Sequence, residues 1–340
     1  MDKNIERSFS QFNFEIDRLA GEVKRRGVRR LLIQMPDGLK PYAVNISREL
    51  MERTGAEVYI SAGSCYGGCD VATGQAKMLN VDLIAHYGHT EFVRVDDCPL
   101  IFLEARSELS LTEILNSSES KISIYRRVGV ATTVQHLNEL AKVEERLQRL
   151  GVEAVITPRC GRNRYRGQII GCDYTPLKMV VDKVESFMVI GSRFHGLGAS
   201  LAVDKPVILA DPYLSKVTEM EEERRSLINR RYAMIERAKG AKSFGIILGS
   251  KIGQYNHGTA DMLRRVIVAR GRGAVTIVAD EVTPSSLENF EGVDVFVNTA
   301  CPRLSIDDSE RFAKPFLLPK EALVSIGEME WEELLDQGLI

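Results

Sequence analysis

The chain has 340 residues, of which 44% are hydrophobic and 27% are charged. This length suits two or three domains, and the composition excludes a disordered or fibrous protein. A formal net charge of −2 gives no reason to expect direct binding to nucleic acid or acidic lipid. No apolar run is long enough to cross a bilayer, and the polar residues 1–7 lack the apolar core of a signal peptide. We therefore expect a cytoplasmic protein.

Short β-branched runs alternate with helical patterns along the whole chain, which is typical of βαβ units with parallel sheets. An amphipathic helix near residues 9–26 precedes the first group of predicted strands. A second helical pattern covers residues 41–53. The predicted strands of this first group cover residues 28–34, 57–62, 82–89 and 100–104.

A second group follows after the polar stretch 116–121. Apolar residues recur at three- and four-residue steps over 134–150, which predicts an amphipathic helix. Residues 187–190 are all apolar, which is typical of a strand that is covered on both faces. The predicted strands of this group cover residues 122–133, 153–157, 186–191 and 206–210.

The third group completes the pattern, and a charged segment over 213–239, predicted to be a surface helix, precedes it. Its predicted strands cover residues 243–248, 274–279, 294–298 and 316–318, with a helix over 259–272. We therefore predict an α/β fold of three similar domains, each a small parallel sheet flanked by helices, arranged around a central site. The predicted domains are residues 1–119, 120–240 and 241–340.

Three of the six cysteines follow predicted strands, one in each domain: Cys69, Cys172 and Cys301. Disulfides are not expected in the cytoplasm, and no pair has C-x-x-C spacing, so a metal site would need ligands from distant segments. Because ligands of open α/β sheets bind beyond the carboxyl ends of the strands, the three cysteines have the right position to meet. Three thiolates suit a [4Fe–4S] cluster with one open iron, although zinc also accepts soft sulfur ligands.

The cysteines also permit other interpretations. Free cysteines are often simply buried packing residues, and we expect this role for Cys98 and Cys160. Cys65 lies four residues before Cys69 and could either stand near the cluster or replace Cys69 as a ligand. Cys69 and Cys172 precede helical patterns, which predicts a lowered thiol pKa through the helix dipole.

Further polar residues lie at predicted strand ends, which favours one shared pocket. Turns of the Gly-Ser or Asp-Gly type that open helices can present backbone N–H groups to a carboxylate. The basic segment 159–166 could neutralise a carboxylate, contact an acidic partner, or be a solvated loop. The other residues at strand ends are Gln34, Asp37, His86, His89, Gln135, His136, His195 and the segment 249–254.

Five separated segments carry a family resemblance over nearly the whole chain. They are 66–70 (YGGCD), 132–136 (TTVQH), 167–174 (GQIIGCDY), 194–198 (FHGLG) and 300–303 (ACPR). In this order they resemble the archaeal diphthamide-biosynthesis enzymes, the 2-(3-amino-3-carboxypropyl)histidine synthases, a non-standard radical S-adenosylmethionine (SAM) family. The usual radical-SAM motif C-x-x-x-C-x-x-C is absent from this chain as it is from that family. The extra Cys65 departs from the family pattern.

The resemblance implies a central [4Fe–4S] cluster whose ligands correspond to Cys69, Cys172 and Cys301. It also implies that SAM binds at the open iron and that a one-electron reductant drives cleavage of its Cγ–S bond. The resulting 3-amino-3-carboxypropyl radical would add to C2 of a histidine imidazole in translation elongation factor 2. The family further implies a homodimer.

Residue roles beyond the cluster are hypotheses that accompany this resemblance. Radical attack on imidazole needs no general base, but a proton and an electron must leave afterwards. The candidates for assisting this step are His89, His136 and His195. The candidates for contacting SAM are Gln34, Asp37, Gln135 and Arg303.

Two other functions fit parts of the sequence. A quinolinate synthase-like dehydratase resembles this fold and also holds one cluster with three cysteines, but it uses no SAM; the motifs at 171–174 and 300–303 favour the diphthamide enzymes instead. A non-catalytic protein with a structural zinc or with buried thiols is the other alternative. Broad absorption near about 400 nm in anaerobically purified protein would indicate a cluster, and a colourless zinc protein would exclude it.

Overall fold

The computed structural model describes residues 11–96 and 98–339. These residues form an α/β fold with three small, mostly parallel sheets flanked by helices, which confirms the predicted fold class. Residues 1–7 and the first residues of the helix predicted over 9–26 lie outside the described residues. Within the described part of the chain, no helix has the length and apolar character needed to cross a membrane.

The first sheet and its helices span residues 12–107. Their bounds are β1 (Phe12–Asn13), α1 (Ile16–Arg26), β2 (Arg30–Gln34), α2 (Lys40–Thr54), β3 (Glu57–Ile60), α3 (Thr73–Leu79), β4 (Leu83–Tyr87), β5 (Leu100–Leu103) and β6 (Arg106–Ser107). The sheet has the parallel order β3-β2-β4-β5, and β1 and β6 form a separate antiparallel pair. All five residues of β4 are buried because helices cover both faces of the sheet.

The second sheet contains four parallel strands and one antiparallel edge strand. Its elements are α4 (Thr112–Ile122), β7 (Arg127–Thr132), α5 (Leu140–Arg149), β8 (Glu153–Ile156), α6 (Thr175–Lys178), β9 (Ser186–Ile190), α7 (Arg193–Ala202), β10 (Val207–Asp211) and β11 (Lys216–Glu219). The order is β11-β10-β9-β7-β8, with β11 antiparallel to β10. The strand predicted over 122–133 was wrong at its start, because α4 extends to residue 122 and β7 begins only at residue 127.

The third sheet is fully parallel. Its elements are α8 (Glu221–Ala238), β12 (Ser243–Gly249), α9 (His257–Ala269), β13 (Gly273–Ala279), α10 (Pro284–Leu287), β14 (Val295–Asn298), α11 (Pro302–Ile306), β15 (Phe316–Leu317), α12 (Pro319–Ser325) and α13 (Trp331–Gln337). The strand order is β13-β12-β14-β15. Short 3₁₀ turns complete the connections, at Asp37–Leu39, Val134–Glu139, Val181–Lys183 and Ser309–Arg311.

A carboxylate repeats at the amino ends of all three sheets. Asp82 and Asp294 each accept two backbone N–H bonds at the start of the first strand of their sheet, at 2.8 to 2.9 Å. Glu185 accepts one such bond before β7, at 2.6 Å. These carboxylates directly precede β4, β9 and β14, the strands that pair with β2, β7 and β12. The three sheets therefore share the same arrangement at their amino ends.

Helix α8 is less exposed than the predicted surface helix over 213–239. Its charged outer face does meet solvent, but Arg231 is only 1% exposed and forms an ion pair with the buried Glu321 of α12. The same guanidinium donates to the carbonyls of Ser305 and Phe316, at 2.7 and 2.9 Å. The start of the predicted segment is the edge strand β11 rather than helix.

The hydrophobic cores show how the sheets are joined. Helix α4 crosses the predicted boundary at 119/120, and its Ile114, Leu115 and Ile122 pack in one core with the second sheet. We therefore propose that the second unit begins with α4. Phe187 of the second sheet and Phe244 of the third lie in one continuous core with side chains of α8. The second and third sheets therefore share buried packing, whereas the first sheet has a core of its own.

Candidate functional site

One cavity of about 690 Å³ is lined by Cys69, Cys172 and Cys301 together. Cys69 lies in the loop after β3, Cys172 in the loop after β8, and Cys301 just after β14. The structure thus brings together three residues that are far apart in the sequence and belong to three different sheets. All three residues are only partly buried, and all three line the cavity.

The thiols of these cysteines influence one another electrostatically. Burial raises the pKa of Cys172 to about 12, and the nearby thiols of Cys69 and Cys301 add to this shift. Burial likewise raises the pKa of Cys301 to about 11, although a backbone N–H at residue 303 opposes it. Burial also raises the pKa of Cys69. For the free thiols the pKa of Cys69 and Cys172 is therefore raised, not lowered as predicted, and burial is the largest cause.

The chemistry of this donor set fits an iron–sulfur cluster. Three cysteines line one cavity and influence one another electrostatically, and soft sulfur donors select iron–sulfur clusters or zinc. Three cysteines leave one iron of a [4Fe–4S] cluster without a protein ligand. Because the free thiols are neutral at pH 7, loading the metal would release protons as the thiolates form.

Cys65 also lines the cavity, but its sulfur has a different neighbour. It is 4% exposed, and its Sγ lies 3.8 Å from Nε2 of His86. Burial raises the pKa of the Cys65 thiol, so it is neutral at pH 7. Together with His89, these residues form a group whose donor atoms all lie within 4.8 Å of one another.

Distances within this group favour a hydrogen-bonded chain over a shared metal ion. Nε2 of His86 is 2.9 Å from Nδ1 of His89. Two nitrogens on one tetrahedral zinc would be about 3.3 Å apart, given zinc–nitrogen bonds of about 2.0 Å. The observed separation is instead that of an N–H···N hydrogen bond.

Gln34 determines which atoms donate and which accept in this hydrogen-bonded chain. Its Oε1 accepts from the backbone N–H of Ala72 at 2.9 Å, and its Nε2 donates to the carbonyl of Asp70 at 2.6 Å. With the amide fixed in this way, Nδ1 of His86, 3.1 Å from Oε1 of Gln34, must carry a proton. Nε2 of His86 then accepts from Nδ1 of His89, so the unprotonated nitrogen of the neutral His89 ring is Nε2.

The three histidine candidates occupy different places. His89 and His195 line the cavity, and burial lowers the pKa of each to about 4, so both rings are neutral at pH 7. Nδ1 of His195 lies 2.9 Å from the hydroxyl of Ser192. His136 is 1% exposed and packs against the ring of Tyr213 behind the cavity wall. Its ring nitrogens have no hydrogen-bond partner among residues 11–96 and 98–339.

Three of the four candidates for contacting SAM line the cavity. Asp37 pairs with Lys40 at 2.6 Å, and Gln135 donates to the carbonyl of Gly88 at 2.7 Å. Arg303 also lines the cavity and holds its guanidinium 4.2 Å from the centre of the Phe194 ring. Gln34 is buried behind the wall, where it orients His86.

A loop of the third unit supports Cys69. It belongs to the segment 249–254, which the sequence placed at a strand end of the shared pocket without predicting its contact with Cys69. The backbone N–H of Gly253 donates to the carbonyl of Cys69 at 2.9 Å. Nε2 of Gln254 donates to Sγ of Cys69 at 3.7 Å. Lys251 is 9% exposed, and its ammonium contacts the carboxylate of Asp70 at 2.8 Å. These contacts join the first and third units at the cavity.

Two further features, the basic segment 159–166 and a second cavity, contribute less to the candidate site. Of the basic segment 159–166, Arg162 packs over the ring of Phe92, 4.8 Å from its centre, and its charge acts on Cys172. A second cavity of about 840 Å³ is larger but contains none of the cysteines. Its walls carry charges of both signs, so its size alone does not indicate chemistry.

Comparisons with known proteins agree on one family. The family described as "Putative diphthamide synthesis protein" matches residues 35–335. A 2-(3-amino-3-carboxypropyl)histidine synthase of Pyrococcus horikoshii is 34% identical, over 92% of this chain and 91% of that protein. Subunit 1 of the synthase of Saccharomyces cerevisiae is 32% identical, over 93% of this chain and 75% of that protein. A solved structure, Dph2 from Pyrococcus horikoshii with a 4Fe-4S cluster, is similar with a TM-score of 0.86 and 33% identity, over 94% of this chain and 92% of that chain.

Proposed function

Because this chain belongs to the diphthamide synthesis family, we propose that it transfers the 3-amino-3-carboxypropyl group of SAM to C2 of a histidine in translation elongation factor 2. The chain is an enzyme of diphthamide biosynthesis, a pathway of protein modification, and its relatives carry the name of that synthase. The observation that carries the proposal is the meeting of Cys69, Cys172 and Cys301 at one cavity.

These three cysteines are the proposed ligands of a [4Fe–4S] cluster. The similar solved structure of Dph2 contains such a cluster, and the sulfur donor set of this cavity suits one. When bound, the cluster supplies an electron for reductive cleavage of the SAM sulfonium and an open iron for binding it. Cys65 is proposed to remain a neutral thiol beside His86, since burial opposes its ionisation.

The cavity wall contains both charged and aromatic side chains that suit SAM. Arg303 is proposed to bind the carboxylate of SAM; its contacts with the Phe194 ring and, at 3.3 Å, with Asp307 limit its motion. Asp37 and Gln135 are proposed to bind the remaining polar groups. Phe92 and Phe194 line the cavity, and we propose that their aromatic side chains exclude water and so protect a reactive carbon radical from side reactions.

His89 is the proposed proton acceptor. The net reaction replaces the C2–H bond of the substrate imidazole by a C2–C bond, so one proton leaves. No net electron is consumed, because the electron used to cleave SAM is returned when the ring regains aromaticity. His89 is neutral and lines the cavity, and its hydrogen bond to His86 leaves the lone pair on Nε2. His195 is the second candidate at this wall.

The family resemblance also supports proposals about the setting of the reaction. We propose that the enzyme is a cytoplasmic homodimer that receives its electron from a one-electron reductant. Neither a membrane nor nucleic acid is needed for this reaction. The net charge of −2 is consistent with a protein rather than a nucleic-acid substrate.

The decisive experiment is anaerobic reconstitution with iron and sulfide, followed by dithionite, SAM and an archaeal elongation factor 2. Mass spectrometry should find one added aminocarboxypropyl group on one histidine. Without the elongation factor, 2-aminobutyrate or homocysteine sulfinate should form from SAM. An intact cluster that leaves SAM unchanged would instead indicate a quinolinate synthase-like dehydratase, and colourless protein with bound zinc would indicate a non-catalytic site.

A further inference from the structure

Cys69 is the one proposed ligand whose sulfur receives a side-chain hydrogen bond, within residues 11–96 and 98–339. The donor is Nε2 of Gln254, at 3.7 Å from Sγ, and Gln254 is 9% exposed. Cys301 has only backbone donors from the start of α11. Cys172 has the positive charge of Arg162 nearby but no such donor. The three sulfurs therefore have three different electrostatic environments.

Gln254 is held in place by the loop that carries it. Its neighbour Gly253 donates a backbone N–H to the Cys69 carbonyl at 2.9 Å. A Cβ at Gly253 would lie 2.5 Å from the Cys69 Cα, so the two loops meet without space between them. Lys251 anchors the loop through Asp70 at 2.8 Å and Glu281 at 2.5 Å.

The ion pairs of Lys251 persist at neutral pH. Burial alone would lower the pKa of Lys251, but its hydrogen bonds to Asp70 and Glu281 outweigh burial and raise the pKa. The ammonium therefore stays charged between the two carboxylates. Because Gln254 is 9% exposed, its side-chain rotamers are already restricted, and donating to sulfur costs little further entropy.

A hydrogen bond to a cluster thiolate changes the reduction potential. Reduction adds negative charge to the cluster and its sulfurs, and an N–H dipole directed at sulfur stabilises that charge. We propose that Gln254 is a positioning residue that raises the reduction potential of the cluster through its hydrogen bond to Cys69 Sγ. This inference rests on the proposed cluster. It determines how strong a one-electron reductant the enzyme requires.

The test compares reconstituted wild-type protein with Gln254→Leu and with Gln148→Leu. Leu has nearly the size of Gln but no donor, and Gln148 is an exposed residue of α5 that serves as a matched control. Midpoint potentials are measured by redox titration followed by electron paramagnetic resonance, with iron and sulfide content determined for each sample. We expect a more negative midpoint for Gln254→Leu and an unchanged one for Gln148→Leu. Equal midpoints in wild type and Gln254→Leu, at equal iron content, would overturn the inference.

A second measurement decides the question if Gln254→Leu fails to fold or to load iron. Wild-type protein with ¹⁵N in its glutamine side chains is reduced and studied by pulsed electron paramagnetic resonance. Gln135 and Gln168 also line the cavity, so the same spectra are recorded for Gln135→Leu and Gln168→Leu. A ¹⁵N coupling that persists in both variants supports the hydrogen bond from Gln254, and the absence of any coupling refutes it. Wild-type protein that binds no iron at all would instead refute the proposed function, and the inference with it.

Discussion

At the amino ends of the first and third sheets, an aspartate accepts two backbone N–H bonds in the same way. The carboxyl ends of the two sheets differ. Asp82 and Asp294 bind the backbone at the start of their sheets in the same way. At the other end, Cys69 follows the second strand of its sheet and Cys301 follows the third. Every sheet must satisfy its own backbone N–H groups. The carboxylate that accepts them at the start of the sheet is therefore repeated. Each side chain that acts in the shared cavity is needed only once. The carboxyl ends of the sheets can therefore carry different residues.

The largest effect is expected from removing a sulfur at the carboxyl ends. Cys172→Ser should abolish modification of the elongation factor and lower iron content sharply, while the circular dichroism spectrum stays that of a folded protein. The reason is that Cys172 lines the cavity rather than the core of its sheet. The matched control is Cys98→Ser, because Cys98 lies in a hydrophobic core away from the cavity. This variant should keep its iron. Normal modification by Cys172→Ser would refute the ligand assignment.

Replacing His89 should slow the transfer without removing the cluster. His89→Gln is expected to reduce transfer by about 10²- to 10⁴-fold, the usual contribution of a proton-transfer group. Cleavage of SAM without the elongation factor should continue. Deuterium at C2 of the substrate histidine should slow the variant more than wild type, because proton loss becomes limiting. His257→Gln, at an exposed position of α9, should behave as wild type; the same result for His89→Gln would exclude His89.

Forcing apart the close contact between the Cys69 loop and Gly253 of the third unit should have an intermediate effect. Gly253→Ala places a methyl group 2.5 Å from Cys69 Cα, and overpacking of this kind costs about 1–3 kcal/mol. Urea unfolding should report this loss of stability, and iron should be retained less well. Gly258→Ala is the control, since nothing lies within 4 Å of its new Cβ. Equal stability and iron content in the two variants would contradict the close contact.

The smallest effect is expected at the amino ends, and it should depend on pH. Backbone N–H bonds from Arg30 and Arg29 lower the pKa of Asp82 below its ordinary value of 3.8. The carboxylate therefore stabilises the fold above pH 3.8, and this contribution is lost as the pH falls through the lowered pKa. Asp82→Asn should cost about 1 kcal/mol or less at pH 7, because the group is exposed to solvent. Denaturation at pH 7 and pH 2 should show a difference that shrinks at the lower pH.

Asp294→Asn should repeat this behaviour, since its pKa is lowered by the same kind of backbone bonds. Neither aspartate variant should change iron content or transfer rate. An aspartate variant that lost iron would break the distinction between the two ends of the sheets.

The strands could be predicted from the sequence because each buried strand has a distinct apolar run. The strand predicted over 186–191, for example, is observed as the fully buried Ser186–Ile190. Strand β11 was missed because it is a short, exposed edge strand with charged residues at both ends. The pattern of residues also could not separate the end of α4 from the start of β7.

Part of the site could be predicted because parallel topology places strand ends at one edge of each sheet. The contacts between sheets could not, since they join residues far apart in the chain. Lys251 and Asp70 are 181 positions apart, and no local pattern connects them. The sequence places His86 at a strand end together with Gln34 and His89, but only the structure shows the hydrogen bonds that link them.

The buried pair between Arg231 and Glu321 limits how this protein can be divided or recombined. A fragment that ended after α8 would keep the guanidinium and lose its carboxylate, together with the carbonyls of Ser305 and Phe316. Leaving such a charge without its partner costs about 3–5 kcal/mol, a large share of the stability of a small domain. Although the sheets look alike, the last of them is thus not an exchangeable module, and gene fusions or truncations at residue 240 should yield insoluble chains.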